Sequence, residues 1–344
     1  MAVEKSPGLT NKSMAVEKIT LSSLRKGLFG PGKAESCTPF AALTCYDATT
    51  ARWLARAGVH VLLVGDTAAE MVLGHPRTTD MPLDILLALT AAVKRGVLHA
   101  AAEAQGHSGT SASTSADTYP GTVQPLIMGD MPFLSYHLSE DDAVANAGKF
   151  LVEGQADIVK LEVDASFAPR VARMVGAGIP ICAHIGSRPQ LAALTGGYSS
   201  AGRTAHAANS ILHDAETMLA AGASMLLVEA VPGPLAEQLT AMCSKAQVPL
   251  IGIGAGSSCH GQVLVLHDLL GLTDRAPVFA TPVANLGQLL VQAGRAWVDT
   301  VAERAVQPSP YRARSESPQA GMISAATPAP APATALPSAA NIQV

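Results

Sequence analysis

The sequence predicts an α/β protein, a (β/α)8 TIM barrel, on three observations. A helical pattern closed by a small residue and a glycine recurs ahead of a short apolar strand, seen at Gly58, Gly154, Gly178 and Gly222. Eight strand-like segments can be counted, separated mostly by helical stretches, which is the rhythm of parallel βα units. The strands are continuous Val/Ile/Leu runs, the pattern of strands buried on both faces. A doubly wound open sheet would be built from the same units.

In chain order the expected strands are Phe40 to Thr44, Val59 to Val64, Pro125 to Met128, Ile158 to Glu162, Pro180 to His184, Met225 to Glu229 and Pro249 to Ile253, with a weaker one at Pro277 to Ala280. Glycine directly after a helix takes the left-handed conformation that closes it. Residues 1–35 are set aside as an N-terminal extension. Residues 1–33 carry six Lys/Arg against Glu4 and Glu17, and the pentapeptide Met-Ala-Val-Glu-Lys occurs at Met1 and again at Met14. That bias permits a targeting segment. Residues 36–306 form the expected catalytic barrel, interrupted at 100–122 by an insertion rich in Ala, Ser, Thr and Gly. This link joins a helix ending near Gly96 to the next strand, so it is expected to be a mobile loop on the face away from the chemistry. The Pro/Ala-rich tail from 307 to 344 is expected to be disordered.

Composition narrows the function. The chain has 344 residues, 48% hydrophobic and 15% charged, with net charge −4. That supplies one large core and gives no reason to expect nucleic acid or an anionic membrane as a partner. No apolar run in the sequence approaches the ~18 residues of a membrane span. Five cysteines without a C-x-x-C pair argue against a disulfide framework or a zinc site and for a reducing compartment. The N-terminus lacks the apolar core of a secretory signal. An intracellular protein, mitochondrial or cytoplasmic, is expected.

The centre of the reading is Ala156 to Glu162. As a strand it places Ile158, Lys160 and Glu162 on one face and Val159 and Leu161 on the other. A lysine and a carboxylate buried together need partners, a ligand or a metal, although a structural ion pair leaves the same trace. The other strand ends decide between them. Tyr46-Asp47, Asp66-Thr67, Asp130, His184, Glu229 and the run Gly252-Ile-Gly-Ala-Gly256 all stand at C-terminal ends, where βα barrels place their catalytic groups. Asp66, Asp130 and Glu162 would crowd like charges together unless a cation is present, and oxygen donors of this kind suit Mg²⁺. The glycine run lacks the G-x-G-x-x-G spacing of a dinucleotide site.

These residues stand in runs that resemble a known family. Val64-Gly-Asp-Thr67, Gly129-Asp-Met-Pro-Phe133, Val159-Lys-Leu-Glu162, Cys182-Ala-His-Ile-Gly186, Gly196-Gly-Tyr198, Leu227 to Pro232, Ile251 to Gly256 and Gly261 to Asp268 are similar, in order, to ketopantoate hydroxymethyltransferase, with Gly254 to Asp268 closest to fungal members. The resemblance implies a barrel of the phosphoenolpyruvate mutase/isocitrate lyase-like superfamily. It implies transfer of a one-carbon unit from 5,10-methylenetetrahydrofolate to the small 2-oxo acid 3-methyl-2-oxobutanoate, giving 2-dehydropantoate for pantothenate synthesis, by a homo-oligomer. It further implies Asp66, Asp130 and Glu162 as the Mg²⁺ site, Lys160 and His184 as substrate contacts, Thr67 in place of a carboxylate-binding serine, and Glu229 as the proton acceptor. A diverged paralogue doing aldol or lyase chemistry on another 2-oxo acid, or a silent scaffold, are the alternatives. The chain departs from the family pattern at Thr67-Ala68-Ala69, Ala88-Leu89, Val163-Asp164, Ser187 and Ser199.

Overall fold

A computed structural model describes residues 16–32, 38–105, 119 and 121–311. Eight parallel strands close into a barrel: β1 (Phe40–Thr44), β2 (Val61–Val64), β3 (Leu126–Asp130), β4 (Ile158–Glu162), β5 (Ile181–Gly186), β6 (Met225–Glu229), β7 (Leu250–Ile253) and β8 (Gly261–Leu264), with β8 returning to β1. The open-sheet alternative is excluded by that closure. Helices Ala48–Arg56, Leu83–Ala104, Glu140–Val152, Ala168–Gly176, Ala205–Ala220 and Gly233–Ala246 follow the first six strands in turn.

Two apolar clusters follow from side-chain alternation along each strand. Val159, Leu161, Leu62, Ile127 and Ile185 face outward into the layer between strands and helices. Ile158, Val61, Leu126, Met128, Cys182, Met225 and Val263 fill the barrel interior. The predicted division of β4 into two faces therefore holds, with Lys160 and Glu162 on the interior side above Ile158.

The glycine caps hold at three of four places: Gly58, Gly178 and Gly222 have φ of 79°, 86° and 91°. At the fourth, Gln155 takes the left-handed turn with φ 55°. Gly154 serves packing instead, since a Cβ there would meet Phe150 O at 2.8 Å.

Three further expectations change. The eighth strand is Gly261–Leu264, not Pro277 to Ala280. The link Gly254 to His260 contains no helix, so the helix–glycine–strand signature is missing where the barrel closes, and Pro277 to Ala280 instead turns at the cavity rim, with Ala280 N donating to Pro277 O at 2.9 Å. The helix expected to end near Gly96 continues to Ala104, with Ala100 and Ala101 buried. By length and composition it could cross a membrane, but 56% of that stretch is buried inside the protein. The rest of the insertion lies mostly outside the described residues, as does the tail beyond Tyr311.

Part of the segment set aside as an extension packs on the barrel. Ile19, Leu24 and Leu28 join the interior cluster at the N-terminal end, and Glu17–Lys18 pairs in parallel with Val123–Gln124. Helix Leu21–Phe29 starts in a capping box, Ser23 N donating to Thr20 Oγ1 at 3.0 Å and Thr20 N to Ser23 Oγ at 2.8 Å. It plugs the mouth opposite the carboxylates.

Candidate active site

The C-terminal strand ends surround a cavity of about 910 Å³, and Asp66, Thr67, Asp130, Lys160, Glu162, His184 and Glu229 all line it. Every residue nominated for substrate, metal or proton transfer thus meets in one place. Asp47 does not. It caps helix Ala48–Arg56, accepting from Thr50 N at 2.8 Å.

Register builds the site in layers. Asp130 and Lys160 are opposite one another across β3 and β4, and Glu162 and His184 across β4 and β5. Lys160 Nζ donates to both oxygens of Asp130, at 2.8 and 2.7 Å. Asp130 Oδ2 also accepts from Asp66 N at 3.2 Å. Burial alone would lower the Lys160 ammonium, but Asp130, then Asp66 and Glu162, override it and hold the pKa above its ordinary range. Lys160 therefore carries a positive charge into the cavity.

The other carboxylates move the opposite way. Burial, reinforced by the Asp130 charge, pushes Asp66 up to about 7, with Lys160 and Gln190 pulling it back. Glu162 is raised well above its ordinary value, again by burial first, with Lys160 opposing and Asp66 and Asp130 adding to it. These groups cannot all be ionised without more positive charge than one lysine provides.

His184 is 2% exposed, and burial lowers its pKa. Its Nε2 lies 3.3 Å from Glu229 Oε2 and its Nδ1 3.7 Å from Glu162 Oε1, yet among the described residues neither nitrogen completes a hydrogen bond. A buried imidazole with both nitrogens unpartnered is suited to receive a polar ligand atom. Glu229, a fifth exposed, stands beside it at the end of β6.

Sequence reasoning missed Gln190 and Tyr136. Gln190 lies in the one-turn helix Pro189–Leu191 beyond β5, and its Nε2 donates to Asp66 Oδ2 at 2.8 Å and to Met131 O at 3.1 Å. Its backbone N donates to Glu162 Oε2 at 3.0 Å, and its Oε1 accepts from the Tyr136 hydroxyl at 2.7 Å. Neither residue ends a strand or carries a charge, so only a polar position just past a strand could have signalled Gln190. Tyr198, in the Gly-Gly-Tyr run, donates from its hydroxyl to Glu70 Oε1 at 2.9 Å across the rim.

The donor set can be weighed against Mg²⁺. Six carboxylates line the cavity, Asp66, Glu70, Asp130, Glu162, Glu229 and Asp268, against Lys160, Arg203 and Arg275, with Lys160 the cation among Asp66, Asp130 and Glu162. Among the described residues no three His, Cys, Asp or Glu side chains are grouped closely enough to enclose an ion by themselves. Excess negative charge from oxygen donors, without a closed protein cage, fits a hard cation that keeps waters and shares few protein ligands. It does not fit a structural zinc.

Of the family departures, Thr67, Ser187 and Ser199 line the cavity. Val163 is buried in the strand–helix layer, and Asp164 caps the turn Ala165–Phe167 and pairs with Arg188 at 2.7 Å. Ala88-Leu89 lies on helix Leu83–Ala104, away from the cavity.

Solved structures of similar fold include a phosphonopyruvate hydrolase complex with oxalate and Mg²⁺ (TM-score 0.50, 12% identity, 84% of this chain and 92% of that one). Another is the phosphoenolpyruvate phosphomutase of Streptomyces platensis subsp. rosaceus (TM-score 0.50, 14% identity, 83% and 88%). At that identity the likeness concerns the fold alone, the closed parallel barrel. In sequence, the 3-methyl-2-oxobutanoate hydroxymethyltransferase of Syntrophobacter fumaroxidans is 41% identical over 252 residues, 73% of this chain and 79% of that protein. The enzyme of the same name from Carboxydothermus hydrogenoformans is 36% identical over 290 residues, 84% and 93%. The family model for ketopantoate hydroxymethyltransferase matches residues 31–105 and 111–308; with the barrel and its acidic mouth, this places the chain in the ketopantoate hydroxymethyltransferase family.

Proposed function

We propose that the protein transfers a hydroxymethyl group from 5,10-methylenetetrahydrofolate to C3 of 3-methyl-2-oxobutanoate, forming 2-dehydropantoate on the way to pantothenate. The observation that carries this reading is the meeting of Lys160, His184, Glu229 and three further carboxylates in one cavity of a chain from this family.

The roles follow from the chemistry of each group. Asp66, Asp130 and Glu162 would hold Mg²⁺, which when bound supplies Lewis-acid stabilisation of negative charge on the keto oxygen of the substrate. Lys160, held charged beside Asp130, adds fixed positive charge where negative charge develops. Thr67 offers its hydroxyl to the substrate carboxylate from the cavity wall. Glu229 is anchored by the β6 backbone and removes the C3 proton, and neutral His184, 3.3 Å away, hydrogen-bonds the substrate with a ring nitrogen left unpartnered among the described residues.

A second reading rests on Thr67, Ser187 and Ser199, three departures from the family pattern that line the cavity. They are the positions through which a paralogue would select a different 2-oxo acid. One assay separates the readings: consumption of methylenetetrahydrofolate against a panel of 2-oxo acids, with and without Mg²⁺. Product from 3-methyl-2-oxobutanoate that needs Mg²⁺ supports the first reading. Turnover confined to another 2-oxo acid, or cleavage without folate, supports the second, and no turnover with any of them leaves the scaffold alternative. We also infer a homo-oligomer in the mitochondrion or cytoplasm, to be tested by light scattering and by cell fractionation.

A further inference from the structure

We propose that Gln190 is the positioning residue of the carboxylate cluster, holding one oxygen of Asp66 and one of Glu162 so that the other oxygen of each stays free for a divalent cation. This inference rests on the Mg²⁺ reading above. Gln190 is 3% exposed, and each polar atom of its side chain is paired. Through Asp66, Met131 and Glu162 it ties together the ends of β2, β3 and β4. Its side-chain amide holds Asp66 and its backbone N holds Glu162, and no other residue among the described ones hydrogen-bonds to the side chains of two of the three carboxylates.

The direction of the amide is determined by its surroundings. Its NH₂ end faces two acceptors, Asp66 Oδ2 and Met131 O, so a flipped amide would set oxygen against oxygen. Its Oε1 end is held by the Tyr136 hydroxyl at 2.7 Å. That hydroxyl accepts from Glu162 N at 3.2 Å and shares its one proton between Gln190 Oε1 and the more distant Glu162 O, at 3.0 Å. Tyr136 is fully buried and touches no carboxylate side chain by hydrogen bond. It acts on the cluster through Gln190 and through the Glu162 backbone, the outer-layer arrangement by which ligand orientation is commonly maintained.

The test is Mg²⁺ binding measured by calorimetry, with 3-methyl-2-oxobutanoate present, on wild type, Gln190→Ala, Tyr136→Phe and the double variant, each checked for fold by circular dichroism. Loss of an outer-layer partner of this kind weakens metal binding by roughly 10- to 100-fold. Gln190→Ala is expected in that range and Tyr136→Phe somewhat below it. The double variant should bind less weakly than the sum of the two single losses predicts, because the Tyr136 contact with Gln190 Oε1 and the Gln190 amide serve the same restraint on Asp66. In turnover, the half-saturating Mg²⁺ concentration should rise in both single variants. A folded Gln190→Ala that binds Mg²⁺ within twofold of wild type overturns the proposal, as do strictly additive effects of the two changes. If Gln190→Ala does not fold, Tyr136→Phe decides alone, and wild-type affinity in it counts against the proposal. Failure of the wild type itself to bind Mg²⁺ would overturn the metal reading and this inference with it, and is recognisable because it precedes any substitution.

Discussion

Asp130 and Lys160 are register partners on β3 and β4, and the lysine Nζ sits 2.8 and 2.7 Å from the two carboxylate oxygens while both side chains are almost wholly buried. The ion pair of Lys160 is made with Asp130, on the neighbouring strand. The lysine's charge is committed to the acidic mouth, and the remaining carboxylates are left with less positive charge than they need.

Asp130→Asn tests that pairing. Replacing one partner of a buried ion pair leaves the other uncompensated, at a cost of roughly 3–5 kcal/mol. Here Asp66 and Glu162 also face Lys160 and will soften the loss. Activity and Mg²⁺ dependence are expected to disappear together, with a urea midpoint lower than wild type. Full activity after chelation and Mg²⁺ titration would remove Asp130 from the metal site.

Glu229→Gln tests the base. The amide keeps the volume but cannot accept a proton, so turnover should fall by roughly 10²- to 10⁴-fold while substrate and Mg²⁺ still bind. The direct measurement is exchange of the substrate C3 proton into deuterated water without folate. Wild-type exchange in the variant would assign the proton to another group, with His184, 3.3 Å away, the next to be examined.

Gly96 tests the packing that holds the first two βα units together. A Cβ at this position would run into the backbone of Ala48, on the helix that crosses it. Backbone cannot swing aside as a side chain can. Gly96→Ala is therefore expected to destabilise by about 1–3 kcal/mol, despite the better helix propensity of alanine. Unfolding in urea at unchanged slope would show it, and a midpoint equal to wild type would mean that the helices can separate at no cost.

His260 tests a pH effect remote from the cavity. Its Nδ1 accepts from Leu250 N at 3.1 Å and its Nε2 lies 2.8 Å from Ser244 Oγ, so the neutral ring satisfies both. Burial lowers its pKa below the ordinary 6.5. Between that lowered value and 6.5 the unfolded chain binds more protons than the folded one, so stability rises with pH in that window and is fully present above it. On acidification from about pH 7.5 to about pH 5.5, the wild type should lose more stability than His260→Asn. Equal losses would dissociate this histidine from the effect.

Much of the fold was legible because burial on both faces leaves a mark on each strand separately. Ile158 to Glu162 and Met225 to Glu229 can be read in isolation, and their terminal charges point to a mouth. The closing strand was not legible in that way. Gly261–Leu264 follows β7 without an intervening helix, and only its pairing with Phe40–Thr44 identifies it as part of the barrel. Helix Leu21–Phe29 was hidden for a similar reason: its apolar residues acquire a purpose only from the barrel end that they fill.

The candidate site divides along the same line. The types and order of Asp66, Asp130, Lys160, Glu162, His184 and Glu229 are properties of the chain, since each is the polar end of an apolar run. Which of them touch is decided in three dimensions, because strand order and register turn separations of about 30 residues into single hydrogen bonds, as between Asp130 and Lys160. Gln190 is the clearest case. An uncharged residue in a one-turn helix carries no local sign of importance, and its place between Asp66, 124 residues away, and Glu162 exists only once the barrel has closed.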